Sequence, residues 1–282
     1  MTVMENVPIG MVLTGPQVAY VPVPKAGCTS MLWTLADLQG EQFANRNASL
    51  EPETSRTMLV HDAALWQHTN TVEALTRAEV SAICDDEDWF VFTLTRHPVD
   101  RLFGAWGSKL LCREPTFVRR FEQQPWFPSK PSSHKDIVAD FGRFVTALLD
   151  DPTLRRADRH WQPQLEIMHA DWVRYTHIGR TDSYAATLTA LQRHLQHRGR
   201  DGIVTERREN KALIGLANVS LPRRLIESIE QIYAEDMQQL GYKPRRLGPP
   251  TAPVSGPLLL ALQAIIDRNE RIGDLLELAR RQ

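Results

Sequence analysis

The loop at residues 25–30, Lys-Ala-Gly-Cys-Thr-Ser, contains the residue types best suited to binding an anion. It follows an apolar run over residues 18–21 that two prolines end, because proline cannot donate a hydrogen bond to a sheet ladder. Thr29 and Ser30 are favourable residues for the first turn of a helix. A strand that leads through such a loop into a helix points several backbone N–H groups at one place, which favours phosphate or sulfate. Lys25 adds a positive charge to that place.

A second cationic group stands after another apolar run. Residues 89–94 are almost all apolar, as in a strand that is buried on both faces of a parallel sheet, and the run leads into Thr95-Arg96. A kinase that uses Mg-ATP usually holds its metal with an Asp or Glu, often at such a strand end. This chain offers a guanidinium instead, which binds phosphate without a metal. We therefore expect an anionic donor that is held by cations and backbone N–H groups, with no metal ion.

The patterns around these residues predict an α/β fold. The stretch at residues 111–135 contains four prolines and is expected to be irregular, either as a lid over an acceptor or as an idle surface loop. Apolar runs and helical periodicity predict the other elements. Strands are expected at residues 18–21, 57–60 and 89–94. Helices are expected with Thr29 and Ser30 in a first turn and continuing through residue 35, from residue 98, and at residues 71–82, 141–149, 185–195, 220–240 and 258–281.

The bulk composition excludes some classes of protein. The 282 residues suit one large or two small domains, and 33 Lys and Arg against 34 Asp and Glu give a net charge of −1. Such a balance argues against general nucleic-acid binding. Three widely spaced cysteines without metal-ligand spacing indicate a reduced intracellular protein. No apolar run reaches the ~18 residues of a membrane span, and the first residues lack the pattern of a signal peptide, so we expect a cytoplasmic location.

The loop order Pro-Lys-Ala-Gly-Cys-Thr-Ser resembles the 5′-phosphosulfate-binding loop of sulfotransferases, in the Golgi carbohydrate-type branch with its P-K-x-x-C-T-[NS] pattern. In the ordinary P-loop the lysine follows the last glycine, whereas here Lys25 precedes Gly27. The segment that begins at Arg96 resembles the family's 3′-phosphate motif, R-D/E-P-x-x-R-L-x-S-x-Y. His97 replaces the acid of that motif, and Gly104 stands where the family has a phosphate-binding serine.

Two later segments resemble the same family. The stretch from His160 to Ser183 resembles H-W-x-P-x-x-x-L-C followed by Y-D-x-I-G-x-x-E-T, and residues 233–242 resemble the closing Y-x-x-D-F-x-x-F-G-Y. The resemblance covers residues 18–242 and implies a P-loop-like three-layer sandwich with a central parallel sheet flanked by helices. It also implies 3′-phosphoadenosine-5′-phosphosulfate (PAPS) as the donor. The residues that it implies in nucleotide binding are Lys25, Ala26, Gly27, Cys28, Thr29, Ser30, Arg96, Gly104 and, one helical turn further, Ser108 as a substitute for the family serine.

Transfer to a hydroxyl needs a base with a pKa near neutrality, and histidine is the usual choice. Of the nine histidines we favour His61, because it follows a predicted strand in the region where related uronosyl sulfotransferases carry a base. His160 is the second candidate, and the sequence leaves the choice open. Lys25 would stabilise the oxygen that leaves with the nucleotide. His97 is expected to cap a helix or orient Arg96.

We expect a sulfotransferase domain at residues 1–243, a proline-rich linker at 244–257 and an amphipathic helix at 258–282. That helix would pack on the domain or pair with a second chain to form a homodimer. Residues 210–211, Asn-Lys, lie where related enzymes place a loop over the nucleotide. The acceptor is expected to be a sugar or a small molecule with a hydroxyl group. An ATP-dependent kinase on a P-loop-like fold and a non-catalytic nucleotide-binding protein remain alternatives.

Overall fold

The computed structural model of the chain describes residues 10–43, 56–71, 75–200, 204–209 and 212–281. The chain divides into two compact units, the first formed by Met1–Arg96 and Gln164–Lys211 and the second by His97–Pro163 and Ala212–Gln282. Among the described residues the α-helices are, in chain order, α1 (Cys28–Gln39), α2 (Arg77–Asp85), α3 (Pro98–Trp106), α4 (Pro115–Phe121), α5 (His134–Asp150), α6 (Gln164–Met168), α7 (Tyr184–His197), α8 (Arg223–Ile232), α9 (Ala234–Gln239) and α10 (Gly256–Arg280).

A five-stranded sheet forms the centre of the first unit. Its strands are β1 (Met11–Leu13), β2 (Val18–Val21), β3 (Asn70–Thr71), β4 (Phe90–Thr95) and β5 (His177–Arg180). They lie in the order β3-β1-β2-β4-β5, in which β2, β4 and β5 are parallel and β1 pairs antiparallel with both β2 and β3. Every residue of β2 and β4 is buried, as their largely apolar sequences predict.

Helices of the first unit cover both faces of this sheet. On one face Val80 of α2 packs against Val91 of β4. On the other face the Thr187 hydroxyl of α7 lies 3.0 Å from Nε2 of His177, and His177 is the register partner of Phe92. Because neighbouring residues of a strand point to opposite faces, Val91 and Phe92 mark the two sides. The unit is therefore an α/β sandwich of helix, sheet and helix, as predicted.

The second unit is helical, and aromatic side chains form the centre of its core. Phe141 and Phe144 of α5 pack against Trp106 and Trp161, with ring centroids 5.1 and 5.4 Å apart. The Tyr233 hydroxyl donates a hydrogen bond of 2.5 Å to the backbone carbonyl of Trp161. This bond gives a polar group inside an apolar core the partner that it needs.

The prediction that residues 111–135 form an irregular segment is wrong in part, while a role as a lid over an acceptor stays a prediction. This segment contains α4, and Phe117, Phe121 and Trp126 are buried in the core of the second unit. Pro115 occupies the start of α4, where the missing N–H of proline costs nothing. One of the four prolines therefore begins a helix, and aromatic side chains of the segment serve packing.

The expected strand at residues 57–60 is a 3₁₀ helix over Arg56–His61. Two indole N–H groups account for the difference. Trp33 donates to the Thr57 carbonyl at 2.9 Å, and Trp66 donates to the Val60 carbonyl at 3.0 Å, so carbonyls that a neighbouring strand would bind have other partners. A four-residue apolar run cannot by itself distinguish a strand from a short helical turn.

Two helix predictions need correction at their ends. The helix expected at residues 71–82 begins only at Arg77, because Thr76 forms a capping box with Glu79, while Thr71 pairs with Met11 in the sheet. The helix expected at residues 220–240 is split into α8 and α9 at Tyr233. The remaining helices agree with the predictions, except that α5 begins seven residues before the expected start at residue 141.

Helix α10 packs within the second unit. Leu262 and Ile266 are fully buried in its core, and the Asn269 amide donates to the Cys112 carbonyl at 2.6 Å. The ammonium group of Lys130 lies 2.6 Å from a carboxylate oxygen of Glu270. Pairing of this helix with a second chain stays a prediction. In the part of the chain that the structure describes, no helix has both the length and the apolar character required to cross a membrane.

Candidate functional site

The loop after β2 turns through two residues in the left-handed region. Lys25 has φ 67° and Gly27 has φ 77°. A Cβ atom at Gly27 would lie 3.7 Å from the Thr181 methyl and the Tyr184 ring, which is ordinary contact. The left-handed φ, and not a lack of space, is therefore what favours glycine there. Lys25 adopts the same region with a side chain, a conformation that is uncommon and costly for residues other than glycine.

Helix α1 begins directly after this loop. Gly27 is its N-cap, and the first hydrogen bond inside the helix runs from the Met31 N–H to the Gly27 carbonyl at 3.1 Å. Helix geometry leaves the N–H groups of residues 28–30 without an acceptor inside the helix, and Gly27 supplies no side-chain cap. The positive end of the helix dipole and these N–H groups suit an anion. Anion binding at this helix start stays a prediction, and the backbone of residues 27–30 is compatible with it.

Cys28 is the first residue of this helix. Burial raises the pKa of its thiol, and the nearby positive charge of Lys25 lowers that pKa only in part. The thiol is therefore protonated at neutral pH and adds no negative charge to the loop. A neutral side chain at this position is compatible with anion binding by the neighbouring N–H groups.

Arg96 reaches the same loop from the end of β4. Its Nη1 donates a hydrogen bond of 3.3 Å to the backbone carbonyl of Lys25. A guanidinium has five N–H donors, so this contact is compatible with bidentate binding of a phosphate. The two cationic residues that the sequence places after separate strands are thus in contact within one unit.

The backbone of Arg96 is held by a buried amide side chain. Gln164, the first residue of α6, is completely inaccessible to solvent. Its Oε1 accepts from the Arg96 N–H at 2.9 Å, and its Nε2 donates to the Arg96 carbonyl at 2.9 Å. Sequence reasoning assigned no role to Gln164, although it lies within the segment that starts at His160.

His61 lies beside the loop, although it is the last residue of a 3₁₀ helix and not of the predicted strand. Its Nε2 is 2.9 Å from the hydroxyl oxygen of Thr29, and its side chain is exposed while Thr29 is buried. The contact brings the favoured base to the candidate phosphate loop. It also gives His61 a second possible role, which is to orient the Thr29 hydroxyl.

Residues 204–209 run along α1 in the first unit. The Glu209 N–H donates to the Ser30 hydroxyl oxygen at 3.0 Å, and the Arg207 guanidinium binds both carboxylate oxygens of Asp37 at 2.7 and 2.8 Å. The Ser30 hydroxyl thus holds this segment and keeps its own proton for another acceptor. Asn210 and Lys211, which follow, lie outside the described residues.

The second unit begins with His97, which caps α3. Its Nδ1 accepts from the Val99 N–H at 3.2 Å, and its Nε2 lies 3.0 Å from the Lys243 carbonyl. Since Nδ1 accepts, Nε2 carries the proton that is donated to this carbonyl. The expected capping role is confirmed. Arg101, buried in the same unit, donates to the Gln162 carbonyl at 2.7 Å and therefore supports the fold.

Gly104 and Ser108 lie one turn apart in the second unit. The Ser108 hydroxyl donates to the Gly104 carbonyl at 3.0 Å. A serine hydroxyl has one proton, so in this arrangement Ser108 has none to donate to a phosphate. Use of Ser108 in place of the family serine would require this bond to break.

His160, also in the second unit, forms a pair with a carboxylate. Its Nδ1 lies 2.7 Å from Oδ1 of Asp158, and Arg120 binds the other oxygen of that carboxylate at 2.6 Å. Burial raises the pKa of the Asp158 carboxyl, but the hydrogen bonds from His160 and Arg120 outweigh it and lower that pKa to about 2. An ionised Asp158 places the His160 proton on Nδ1, so that Nε2 is the basic nitrogen.

Comparison with known protein families identifies the class to which these features belong. The sequence profile described as the sulfotransferase family matches residues 11–243. The chain belongs to this family. Comparisons with curated proteins and with solved structures found no match. The sulfotransferase is thus an enzyme of sulfuryl transfer, and its family implies an acceptor with a hydroxyl group.

In the sulfotransferase the residues predicted to bind the donor or to act as the base fall into two groups. Residues 25–30, Arg96 and His61 come together in the first unit, through the two contacts at the loop. Gly104, Ser108 and His160 belong to the second unit. Among the residues that the structure describes, no cluster of three His, Cys, Asp or Glu side chains could hold a metal ion.

Proposed function

We propose that this sulfotransferase uses PAPS as the donor and transfers its sulfuryl group to a hydroxyl of a sugar or a small molecule. One observation carries the proposal, namely the hydrogen bond of 3.3 Å from Arg96 to the backbone of Lys25. The family resemblance assigns Lys25 to the 5′-phosphosulfate and Arg96 to the 3′-phosphate. PAPS carries the 5′-phosphosulfate and the 3′-phosphate on one ribose, so Lys25 and Arg96 must lie close together to bind both groups of one molecule.

The residues of the loop fit an anionic donor. Lys25 and the N–H groups of residues 27–30 would hold the 5′-phosphosulfate, and Arg96 would hold the 3′-phosphate. The family motif adds position 104 to the 3′-phosphate, and Ser108, one helical turn further, is the proposed substitute for the serine that Gly104 replaces. When bound, the donor supplies a sulfuryl group that is activated by its bond to a phosphate oxygen.

Sulfuryl transfer needs placement, a base and stabilisation of charge more than covalent help from the protein. We assign His61 as the base that takes the proton of the acceptor hydroxyl while its oxygen bonds to sulfur. The bond from sulfur to the phosphate oxygen breaks, and its electron pair stays on that oxygen. Lys25 would stabilise the negative charge that develops there.

His160 remains the second candidate for the base. The contact with Thr29 supports His61, because it brings the imidazole to the donor loop. The pairing with Asp158 supports His160, because the carboxylate fixes the proton on Nδ1 and leaves Nε2 as the nitrogen that can accept one. The position of His61 at the loop favours it as the base, whereas the contact with a carboxylate favours His160.

The donor is tested by isothermal titration of the enzyme with 3′-phosphoadenosine-5′-phosphate (PAP), with ATP plus Mg²⁺ and with 5′-AMP. We expect PAP to bind at least about ten-fold more tightly than either, since only PAP engages both cationic groups and a factor of ten corresponds to one charged contact. Tighter binding of Mg-ATP would favour the kinase. Binding of PAP without sulfuryl transfer to any acceptor in a broad hydroxyl screen would favour a non-catalytic nucleotide-binding protein.

Substitution of Gly104 by serine tests the departure from the 3′-phosphate motif. Since the Ser108 proton is given to the Gly104 carbonyl, we expect Gly104→Ser to restore a phosphate donor and to tighten PAP binding about three- to ten-fold. Binding of 5′-AMP, which lacks the 3′-phosphate, serves as the control and should not change. Equal PAP affinity in variant and parent would show that another group already fills this role.

The boundaries of the domain also remain a proposal. Residues 1–243 are proposed as the sulfotransferase domain, which agrees with the end of the family match at residue 243. The helix predicted at 258–282 is present as α10. The linker at 244–257, a homodimer through that helix and a cytoplasmic location stay predictions from the sequence.

A further inference from the structure

Arg96 is the first residue beyond the end of β4, so the sheet no longer pairs its backbone. The last rung of the ladder is Thr95 with Arg180 of β5. A buried backbone N–H or carbonyl needs a partner, and beyond the last rung that partner has to come from elsewhere. Gln164 binds both backbone groups of Arg96, as one more strand residue would.

The chemistry of the amide determines its orientation. Oε1 can only accept and Nε2 can only donate, so the side chain satisfies the N–H and the carbonyl of Arg96 in a single arrangement. The Gln164 side chain is completely buried, which prevents water from competing for either bond. Gln164 therefore fixes the position and the direction of the backbone from which the Arg96 guanidinium extends.

The guanidinium of Arg96 continues this chain of contacts to the donor loop. It donates to the carbonyl of Lys25, a residue whose left-handed backbone depends on the contacts around it. A shift of the Arg96 backbone would move the guanidinium and loosen the contact with the loop. Charged contacts lose strength rapidly when their geometry is imperfect.

We propose that Gln164 is a positioning residue that sets the affinity of the enzyme for the 3′-phosphate of its nucleotide. The proposal rests on the proposed role of Arg96 in binding that phosphate. Gln164 acts through the backbone of Arg96 and touches no part of the nucleotide itself. Removal of its side-chain amide should therefore weaken the binding of nucleotides that carry a 3′-phosphate and leave the binding of other nucleotides unchanged.

The test compares Gln164→Met with the parent enzyme in calorimetric titrations of PAP and 5′-AMP. Methionine keeps the volume of the side chain and removes both hydrogen bonds. We expect PAP binding to weaken about ten-fold, while 5′-AMP binding changes less than about two-fold. If Gln164→Met fails to fold, Gln164→Asn, which keeps the amide but is too short to reach both groups, replaces it with the same expectation.

A matched control is Thr93→Val on β4, the strand that leads into Arg96. Thr93 is as buried as Gln164, and its hydroxyl donates to the Val21 carbonyl at 2.7 Å, but it does not bind Arg96. We expect it to lower the thermal stability without changing the preference for PAP over 5′-AMP. A similar loss of that preference in Thr93→Val would show a general structural effect and overturn the proposal.

A double-mutant cycle with Arg96→Ala separates this inference from the proposed function. If Gln164 acts through Arg96, Gln164→Met in the Arg96→Ala background should change PAP affinity less than about two-fold. If the parent enzyme and Gln164→Met both bind PAP tightly while Arg96→Ala does not, the role of Gln164 is overturned and the role of Arg96 stands. A parent enzyme that shows no preference for PAP over 5′-AMP overturns both.

Discussion

Substitution of Lys25 by alanine should lower the turnover of sulfuryl transfer about a thousand-fold while the fold stays intact. Lys25 is the residue placed to stabilise the oxygen that leaves with the nucleotide, and loss of one such donor in other enzymes costs about 10²–10³ in kcat. Loss of a positive charge that also holds the 5′-phosphosulfate adds to this effect. The measurement is the initial rate of PAP release from PAPS with saturating acceptor.

Two comparisons make the Lys25 result specific. Thermal unfolding should be close to that of the parent, because the Lys25 carbonyl that accepts from Arg96 belongs to the backbone and remains in Lys25→Ala. Lys130→Ala removes a lysine whose partners are Asp267 and Glu270 of α10, and it should keep the parent rate. Turnover of Lys25→Ala within about three-fold of the parent would exclude the assigned role.

Replacement of His61 by alanine should lower kcat by about 10²–10⁴, the range typical for loss of a general base. PAP should still bind within about three-fold of the parent affinity, since His61 contacts the loop through the Thr29 hydroxyl and not through its cationic groups. The pH profile gives a second readout. The rise of kcat with pH that reports deprotonation of the base should disappear in His61→Ala.

Two other histidines complete this experiment. His68→Ala, at an exposed position seven residues later, is the matched control and should keep the parent kcat. His160→Ala removes the imidazole that pairs with Asp158. A parent-like kcat in His61→Ala together with a large loss in His160→Ala would transfer the role of base to His160.

Features encoded by neighbouring residues were predictable from the sequence. The loop at 25–30 and the arginine at 96 each follow a buried strand directly, so an apolar run and the residues after it define them. The helix at 258–281 and the helix at 185–195 have clear amphipathic periods and end close to the expected residues. The capping box from Thr76 to Glu79 was also visible in the sequence, and it would have given the correct start of α2.

Features that depend on residues far apart in the chain were not predictable. Gln164 binds Arg96 across 68 positions, and Glu209 binds Ser30 across 179. The Trp33 indole binds the Thr57 carbonyl across 24 positions, and this contact helps to explain why residues 57–60 form a 3₁₀ helix and not a strand. The contact of His61 with Thr29 likewise depends on how the chain returns to the loop.

The most direct test of the account is a crystal structure of the enzyme with PAP. We expect the 5′-phosphate to lie within hydrogen-bond distance of the N–H groups of residues 28–30 and of the Lys25 ammonium group, with the 3′-phosphate against the Arg96 guanidinium. A nucleotide bound away from this loop, or one whose 3′-phosphate points away from Arg96, would contradict the assignment of the donor site.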